Sequence, residues 1–422
     1  MTMDFKTLPE GDFTLRNVTV PACLLGQEGG LIRKDIGIAG GRIAAPAGQD
    51  VEMGGAMLLP LFTDMHTHLD KGHIWPRASN PDGTFDGALR TVRADHANWE
   101  PEDVRARMSF AIRSAYAHGT ARIRTHVDSV DGQYLRTFPV FQELREEWAG
   151  RVDLQASSLI SCDRIDPNGE FGDVVRVVTE AGATLGMVTY PIPELKQALL
   201  TFFEMAGKAG LNVDFHTDET MDPTSETLRM IAETVLETGF EGSVVVGHCC
   251  SVSTQSVDRA MDTLDLVAKA GLNPVSLPMC NLFLQDRHAG RTPRNRGVTL
   301  VHEMKARGIN VSFASDNTRD PFYAYGDLDM VEVLREATRI AHLDHSDPDW
   351  IRSFITNPAT ACGWEAPSLA TGAPADLLLF RAREWTEFFA RPQADRIVLR
   401  QGRAIDRTLP DYAELDHLMR LS

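Results

Sequence analysis

Two histidines one residue apart, His66 and His68, are the first side chains of this chain whose type and spacing can hold a metal ion. They follow the apolar run 56–62, which is typical of a buried β-strand. Because successive side chains of a strand point to opposite faces, these two imidazoles lie on the same face. Two imidazoles at one strand end can bind a single ion, so further ligands must come from other strand ends.

Histidine and acidic side chains also end several later strand-like runs. Those side chains are His126 with Asp128, His216 with Glu219, His248, and Asp316 with Asn317. Three neutral imidazoles, at 66, 68 and 216, and the Asp316 carboxylate form a set that suits zinc or ferrous iron and leaves a position for water. Water on such a metal ionises near pH ~7 rather than ~15.7. Burying this many polar groups without a use for them is costly, which favours a functional site.

The fourth strand-like run bears on the number of metal ions. Two-metal sites need a bridging ligand, often a carboxylated lysine on that strand, and residues 184–190 contain no lysine. The sequence therefore predicts one divalent ion, zinc or iron.

The elements that position these residues follow an alternating pattern. Short apolar or β-branched runs alternate with stretches of helical period between about residues 56 and 320. The eight strand-like runs are 57–66, 121–127, 152–160, 184–190, 213–216, 243–248, 274–279 and 309–314. The helix candidates include 101–118, 221–239 and 251–271. Eight such units predict a (β/α)8 TIM barrel, whose chemistry lies at the carboxyl ends of the strands; a doubly wound sheet is disfavoured because its Gly-rich first turn is absent.

The two ends of the chain have a different pattern. Residues 12–55 and 375–406 contain short runs interrupted by glycine pairs or turns, which indicates β-hairpins. We expect 1–55 and 366–422 to form one small β-sandwich-like domain beside a barrel at 56–365. The long segment 70–100 is predicted to be a lid or binding loop, the alternative being a surface loop.

The composition of the chain restricts the classes of molecule that it can bind. The 422 residues carry a net charge of −17, and such a surface repels nucleic-acid phosphates and anionic membranes. Neither a secretory signal nor an apolar run of transmembrane length is found in the sequence. The six cysteines are scattered without a Cys-x-x-Cys pair, which favours a reducing cytoplasm.

Taken in order, several motifs resemble the metal-dependent amidohydrolase superfamily and, within it, the cytosine deaminase family. The motifs are His-Thr-His-Leu-Asp at 66–70, Arg-Thr-His-Val-Asp at 124–128, Val-Asp-Leu-Gln at 152–155, His-Thr-Asp-Glu at 216–219, Asn-Leu-Phe-Leu-Gln-Asp-Arg at 281–287 and Asp-Pro at 320–321. The likeness covers nearly the whole chain, and it implies a soluble homo-oligomer that acts on a small heterocycle.

The resemblance also implies a role for each matching residue. His66, His68, His216 and Asp316 are similar to the metal ligands, and Asp316 would also take the proton of the attacking water. Glu219 corresponds to the acid that protonates the ring nitrogen. His248 corresponds to the group that orients the nucleophile and steadies the tetrahedral intermediate. Gln155 resembles a substrate-binding amide, and His126 belongs either behind the metal ligands or in the pocket wall.

The positions that would read the substrate depart from the family pattern. Where the family has two acidic residues after the eighth strand, this chain has Asp316 and Asn317, and Phe322 replaces the tryptophan of Asp-Pro-Trp. We expect Asn317, Phe322 and Phe85 of the long loop to contact the substrate.

The predicted function is therefore hydrolysis of an exocyclic amino group, with release of ammonia, from cytosine, isocytosine or another cyclic amidine. Hydrolysis of an N-alkylated triazine amine, a cyclic imide or a cyclic amide is the alternative. A third possible function is that of a non-catalytic protein that binds a metal or a base on the same scaffold.

Overall fold

The computed structural model describes residues 5–419, and two β-sheets account for all of its named strands. The strands, numbered in chain order, are β1 (Phe13–Pro21), β2 (Leu31–Ala39), β3 (Arg42–Ala44), β4 (Gln49–Glu52), β5 (Met57–Pro60), β6 (Phe62–Thr67), β7 (Thr120–Asp128), β8 (Asp153–Ser161), β9 (Leu185–Thr189), β10 (Val213–Thr217), β11 (Val244–His248), β12 (Asn273–Ser276), β13 (Ser312–Phe313), β14 (Leu377–Phe380), β15 (Ile397–Arg400) and β16 (Arg403–Ala404).

Helices connect and cover these strands. The α-helices are α1 (Phe85–Asp95), α2 (Pro101–His118), α3 (Tyr134–Trp148), α4 (Glu170–Ala181), α5 (Leu195–Ala209), α6 (Thr227–Thr238), α7 (Val257–Lys269), α8 (Pro278–Leu284), α9 (Val301–Ala306), α10 (Met330–Ala341), α11 (Thr356–Ala361), α12 (Trp385–Ala390) and α13 (Asp416–Met419). Among the described residues, no helix combines the length and the apolar character needed to cross a membrane.

Strands β6 to β13 are parallel and follow one another in chain order around a barrel. The ring closes where the backbone N–H of Asp316, just after β13, donates to the carbonyl of His66 in β6 at 2.9 Å. A parallel bridge between Thr67 and Asp316 marks the same junction. This closure places the residues that follow β6 and β13 side by side at the carboxyl ends of the strands, and the predicted (β/α)8 barrel is confirmed.

The other sheet is mixed and is built from both ends of the chain, in the order β16-β15-β14-β5-β1-β2-β3. One edge of β1 pairs with β2, and its other edge pairs first with β4 and then with β5. The predicted second β unit built from both chain ends is confirmed as this mixed sheet, and the domain bounds 1–55, 56–365 and 366–422 stay a prediction.

The run 57–66, predicted as one strand, is two strands in different sheets. Pro60 of β5 lies opposite Leu377 in the small sheet, and Leu61 donates to the carbonyl of Asp376. From Phe62 onward the chain pairs with the barrel. Proline has no N–H to extend a ladder, so the strand breaks there although both halves are fully buried.

Local signals account for the helix boundaries. Helix α2 has the predicted bounds, with Pro101 in its first turn and Gly119 at φ 98° after its end. Helix α6 begins at Thr227 rather than near 221, because the Asp218 carboxylate accepts from the N–H groups of Thr227 and Leu228 at 2.9 and 3.0 Å. The predicted loop 70–100 contains helix α1, whose N-cap is Thr84.

Candidate active site

The four predicted metal ligands meet at the carboxyl ends of the barrel strands. His66 lies in β6 and His68 directly follows that strand, His216 lies in β10, and Asp316 is the third residue after β13. The Nε2 atom of His216 lies 3.1 Å from that of His66 and 3.2 Å from that of His68. The Oδ1 atom of Asp316 lies 3.6 and 3.3 Å from the Nε2 atoms of His66 and His68. Ligand atoms ~2.0–2.2 Å from one ion lie at about such separations from each other.

The chemistry of these donors fits a divalent cation. Both oxygens of the Asp316 carboxylate are buried and accept no hydrogen bond within residues 5–419. Burial raises the pKa of Asp316 to about 8, an effect that a bound cation would reverse. Burial also holds the pKa values of His66, His68 and His216 well below their usual range, so the imidazoles are neutral and able to ligate. An unpaired buried carboxylate beside three neutral nitrogens is costly unless a cation sits among them.

The space behind His66 is filled by a second buried group. The His126 ring centroid lies 4.0 Å from that of His66, and its Nε2 atom lies 4.0 Å from the Asp214 carboxylate. Neither ring nitrogen of His126 has a hydrogen-bond partner in the described chain. A Cβ at Gly247 would lie 2.9 Å from Cε1 of His66, so only glycine leaves room for that ring. The structure thus places His126 behind the candidate ligands and outside the cavity lining.

Glu219 and His248 lie beside the four ligands. The Nδ1 atom of His248 is 3.0 Å from the amide nitrogen of Asn281 and 3.4 Å from Oε1 of Glu219. Burial, together with the nearby Asp316, raises the pKa of Glu219 well above its usual range. A carboxyl group that stays protonated in a cavity can donate a proton to a substrate nitrogen.

These side chains open onto a cavity of about 580 Å³. His68, His216, Glu219 and His248 contribute to its lining. Its lining also includes residues of helix α1, residues after β9 and residues after β13. The cavity lining also includes Lys71, Phe85, Asp128, Ser161, Tyr190, Asn317 and Phe322.

Three of the four predicted substrate contacts line this cavity. The rings of Phe85 and Phe322 stand edge to face with centroids 5.5 Å apart. Asn317 also lines it, and its amide nitrogen donates to Asp320 at 2.7 Å.

Gln155 does not join them. It is the third residue of β8, far from the carboxyl end of that strand, and its oxygen accepts from the Arg124 guanidinium at 3.0 and 3.2 Å. Its amide nitrogen donates to the carbonyl of Cys362 at 3.1 Å. The prediction of a substrate contact at Gln155 is corrected, because this amide is paired elsewhere and lies outside the cavity lining. The residue that ends β8 at the cavity is Ser161.

Sequence reasoning missed one charged pair in the wall. Lys71 Nζ donates to Oδ1 of Asp128 at 2.6 Å, and both side chains line the cavity. The sequence signal that points to this pair is a lysine directly after the motif at 66–70, in a stretch whose residues are buried.

Comparison with known proteins agrees with this geometry. A model described as "Amidohydrolase family" matches residues 162–405. The chain is 51% identical over 432 residues to a pterin deaminase of Rhizobium rhizogenes (strain K84), with 99% of each chain covered. It is 25% identical to an N-isopropylammelide isopropyl amidohydrolase of Pseudomonas sp. (strain ADP), covering 88% of this chain and 93% of that one. A crystal structure of 5-methylcytosine deaminase from Klebsiella pneumoniae liganded with phosphonocytosine has the same fold, with a TM-score of 0.80 and 24% identity over 93% of this chain and 98% of that chain.

Proposed function

This chain belongs to the amidohydrolase family, and from that premise we propose that it is a metal-dependent deaminase of a pterin-like base. The reaction replaces the exocyclic 2-amino group of a 2-amino-4-oxopteridine with oxygen from water and releases ammonia. The observation that carries the proposal is that Glu219 lines the same cavity as His68 and His216, whose Nε2 atoms lie close to that of His66 and to the Asp316 carboxylate.

His66, His68, His216 and Asp316 would hold one divalent ion, zinc or iron. Such an ion supplies Lewis-acid chemistry, which lowers the pKa of water from ~15.7 to about 7. The side chains of the protein then have to position the base, exclude bulk water and move protons.

Glu219 and Asp316 carry the protons in this proposal. As the protonated acid, Glu219 donates to the ring nitrogen next to the amino-bearing carbon, and Asp316 takes a proton from the attacking water and passes it to the departing amine. The Glu219 carboxylate then takes the proton of the hydroxyl left on that carbon, which restores the acid as ammonia leaves. The imidazole of His248, 3.4 Å from Glu219, would hydrogen-bond the oxygen that develops at the same carbon.

The size and lining of the cavity can accommodate a bicyclic base. A volume of about 580 Å³ lies within the ~300–1,000 Å³ typical of small-molecule sites. Phe85 and Phe322 present aromatic surfaces that can pack on a planar ring system. The relative at 51% identity is named a pterin deaminase, and this likeness is the reason for preferring pterin over cytosine.

The test is an ammonia assay on protein loaded with zinc or with ferrous iron. The substrates are pterin, cytosine, isocytosine and N-isopropylammelide, and the matched control is Glu219→Gln. Ammonia from pterin, absent in the control variant, is the expected result. Ammonia from cytosine alone would overturn the pterin assignment, and isopropylamine release would favour the triazine amine hydrolase. Ring opening without ammonia would indicate a cyclic imide or amide hydrolase, and binding without turnover a non-catalytic binding protein.

We further propose a cytoplasmic homo-oligomer. All six cysteines are free, as expected in a reducing compartment. Light scattering of the purified protein checks the oligomer, since a mass near 46.6 kDa would mean a monomer.

A further inference from the structure

A buried ion pair in the cavity wall has no assigned part in the chemistry described above. Lys71 lies three residues after the candidate ligand His68, and its ammonium donates to Asp128 at 2.6 Å. Only 4% of Lys71 and 8% of Asp128 is exposed, yet both line the cavity. The wall therefore carries a hydrogen-bond donor and an acceptor next to each other.

Asp128 is held in place from several sides. Its Oδ2 atom lies 3.3 Å from Nε2 of His96, and its backbone N–H donates to Asp70 at 2.7 Å. Burial opposes ionisation of Asp128, but the charge of the Lys71 ammonium and the hydrogen bond with His96 outweigh it and hold the pKa of Asp128 well below the usual range. Asp128 is thus a fixed carboxylate that can accept a further hydrogen bond.

Lys71 has unused donor capacity. An ammonium has three N–H groups, and Asp128 is its one hydrogen-bond partner in residues 5–419. Its Nζ atom also lies 5.5 Å from the ring centroid of Phe322, another residue of the cavity lining. A buried ammonium with free N–H groups is costly unless a ligand accepts from them.

We propose that Lys71 and Asp128 read the lactam edge of the substrate, with Lys71 donating to a ring carbonyl and Asp128 accepting from the adjacent ring N–H. This inference rests on the proposed function, because in a 2-amino-4-oxopteridine the C4 carbonyl and the N3–H form such an edge next to the reacting carbon. A 4-amino base presents a donor and an unprotonated nitrogen there, which is the reverse pattern. The pair therefore selects oxo over amino substitution at that position.

The experiment compares two ligands in the metal-loaded protein. Pteridine-2,4-dione carries the lactam edge, and its binding can be followed by its fluorescence without any turnover. 2,4-Diaminopteridine lacks that edge. The variant Lys71→Met removes the donor and keeps the length of the side chain.

Two further variants make the comparison interpretable. Lys71→Met combined with Asp128→Leu removes both charges, so no unpaired carboxylate is left in the wall to unfold the protein. The matched control is Lys305→Met, which breaks an ion pair with Asp349 (2.7 Å) outside the cavity lining.

The expected result is binding of pteridine-2,4-dione that is weaker by about 10- to 100-fold in both Lys71 variants, since a hydrogen bond from a charged donor is lost. Binding of 2,4-diaminopteridine should change much less, and the control should match the parent protein.

Equal weakening of the binding of both ligands would mean a structural role for Lys71 and would overturn the inference. Unchanged binding of the dione in the Lys71 variants, or a parent protein that does not bind the dione, would overturn it as well. If the parent protein binds the dione but releases no ammonia from pterin, the proposed function is wrong, whereas the proposed recognition of the lactam edge by Lys71 and Asp128 still stands.

Discussion

At the scale of single residues, the candidate site is built from backbone conformations that most side chains avoid. Asp218, His248 and Asp316 have φ values of 51°, 69° and 67°. Each such residue costs roughly 1–3 kcal/mol and persists only where its surroundings enforce the conformation. All three stand where a barrel strand turns into its following loop, so the strained backbone accompanies the placement of Glu219, His248 and Asp316 close to one another.

The first prediction concerns Glu219. Glu219→Gln keeps the shape of the side chain but cannot carry a proton, so we expect turnover to fall by ~10²–10⁴. Metal content, measured by atomic absorption, should be unchanged because Glu219 is not among the four candidate ligands. Glu226→Gln, which alters an ion pair with Arg259, is the control. Full activity in Glu219→Gln would remove this residue from the mechanism.

The second prediction concerns His126, whose ring packs at 4.0 Å, centroid to centroid, against that of His66. His126→Ala removes the group that fixes the orientation of this ligand, and we expect metal affinity to fall by about 10- to 100-fold. Competition against a chelator of known affinity measures it. His288→Ala, in the exposed loop after α8, should leave affinity as it was. Equal metal affinities in the two variants would show that His126 only fills space behind His66 and does not contribute to metal binding.

At the scale of elements, one buried cluster joins the small sheet to the barrel. Asp329 caps α10, accepting from the N–H of Val331 at 2.9 Å, and also binds the guanidinium of Arg396, which precedes β15. His118, at the end of α2, lies 3.6 Å from the same carboxylate. One aspartate thus fixes two helices of the barrel layer to a strand of the other sheet.

The third prediction follows from that cluster. Asp329→Asn leaves Arg396 without its charge partner, and we expect the free energy of unfolding to fall by about 3 kcal/mol. Urea unfolding measures this loss. Asp344→Asn, in an exposed pair with His345, is the control and should change stability by less than ~0.5 kcal/mol. A loss no larger than that of the control would show that the cluster does not hold the two sheets together.

The same residue sets a pH dependence. Burial alone would raise the pKa of Asp329, but Arg396 and His118 outweigh it and hold the pKa below its usual range. The stabilisation is therefore present above about pH 3.9, the value for an unfolded aspartate, and is lost as the pH falls toward the lower folded value. The difference in stability between the parent and Asp329→Asn should shrink across that acidic window.

At the scale of the whole molecule, the candidate ligands come from the first and the last strands of the barrel, so a metal ion bound by them would couple binding to folding. His66 and His68 belong to the first barrel strand, and Asp316 follows the last. An ion that binds the folded chain alone stabilises it by about 4 kcal/mol at ~1,000 times its Kd.

The fourth prediction is that chelation lowers both activity and the melting temperature. Zinc or ferrous iron should restore both, and the better of the two identifies the working ion. His216→Ala, lacking one candidate ligand, should start from the lower melting temperature and respond little to the chelator. If the melting temperature of the parent protein does not change when the chelator is added, the ion makes no contribution to the stability of the fold.

The sequence alone determined the barrel and its candidate ligands, because each of them follows a strand-like run and all parallel strands of a barrel end at the same face. It could not separate β5 from β6, since both halves of the run 57–66 are fully buried and a pattern of burial does not say which sheet a strand joins.

Only the tertiary structure decided which other polar groups face the cavity. Gln155 stands near the start of β8 and is paired with Arg124, whereas Ser161 at the end of that strand reaches the cavity. Lys71 and Asp128 are far apart in the chain and meet because β6 and β7 are neighbours in the barrel. The period of the sequence determines on which face of a strand a side chain lies. Its neighbours on that face depend on the length of the strand and on the order of the strands around the barrel.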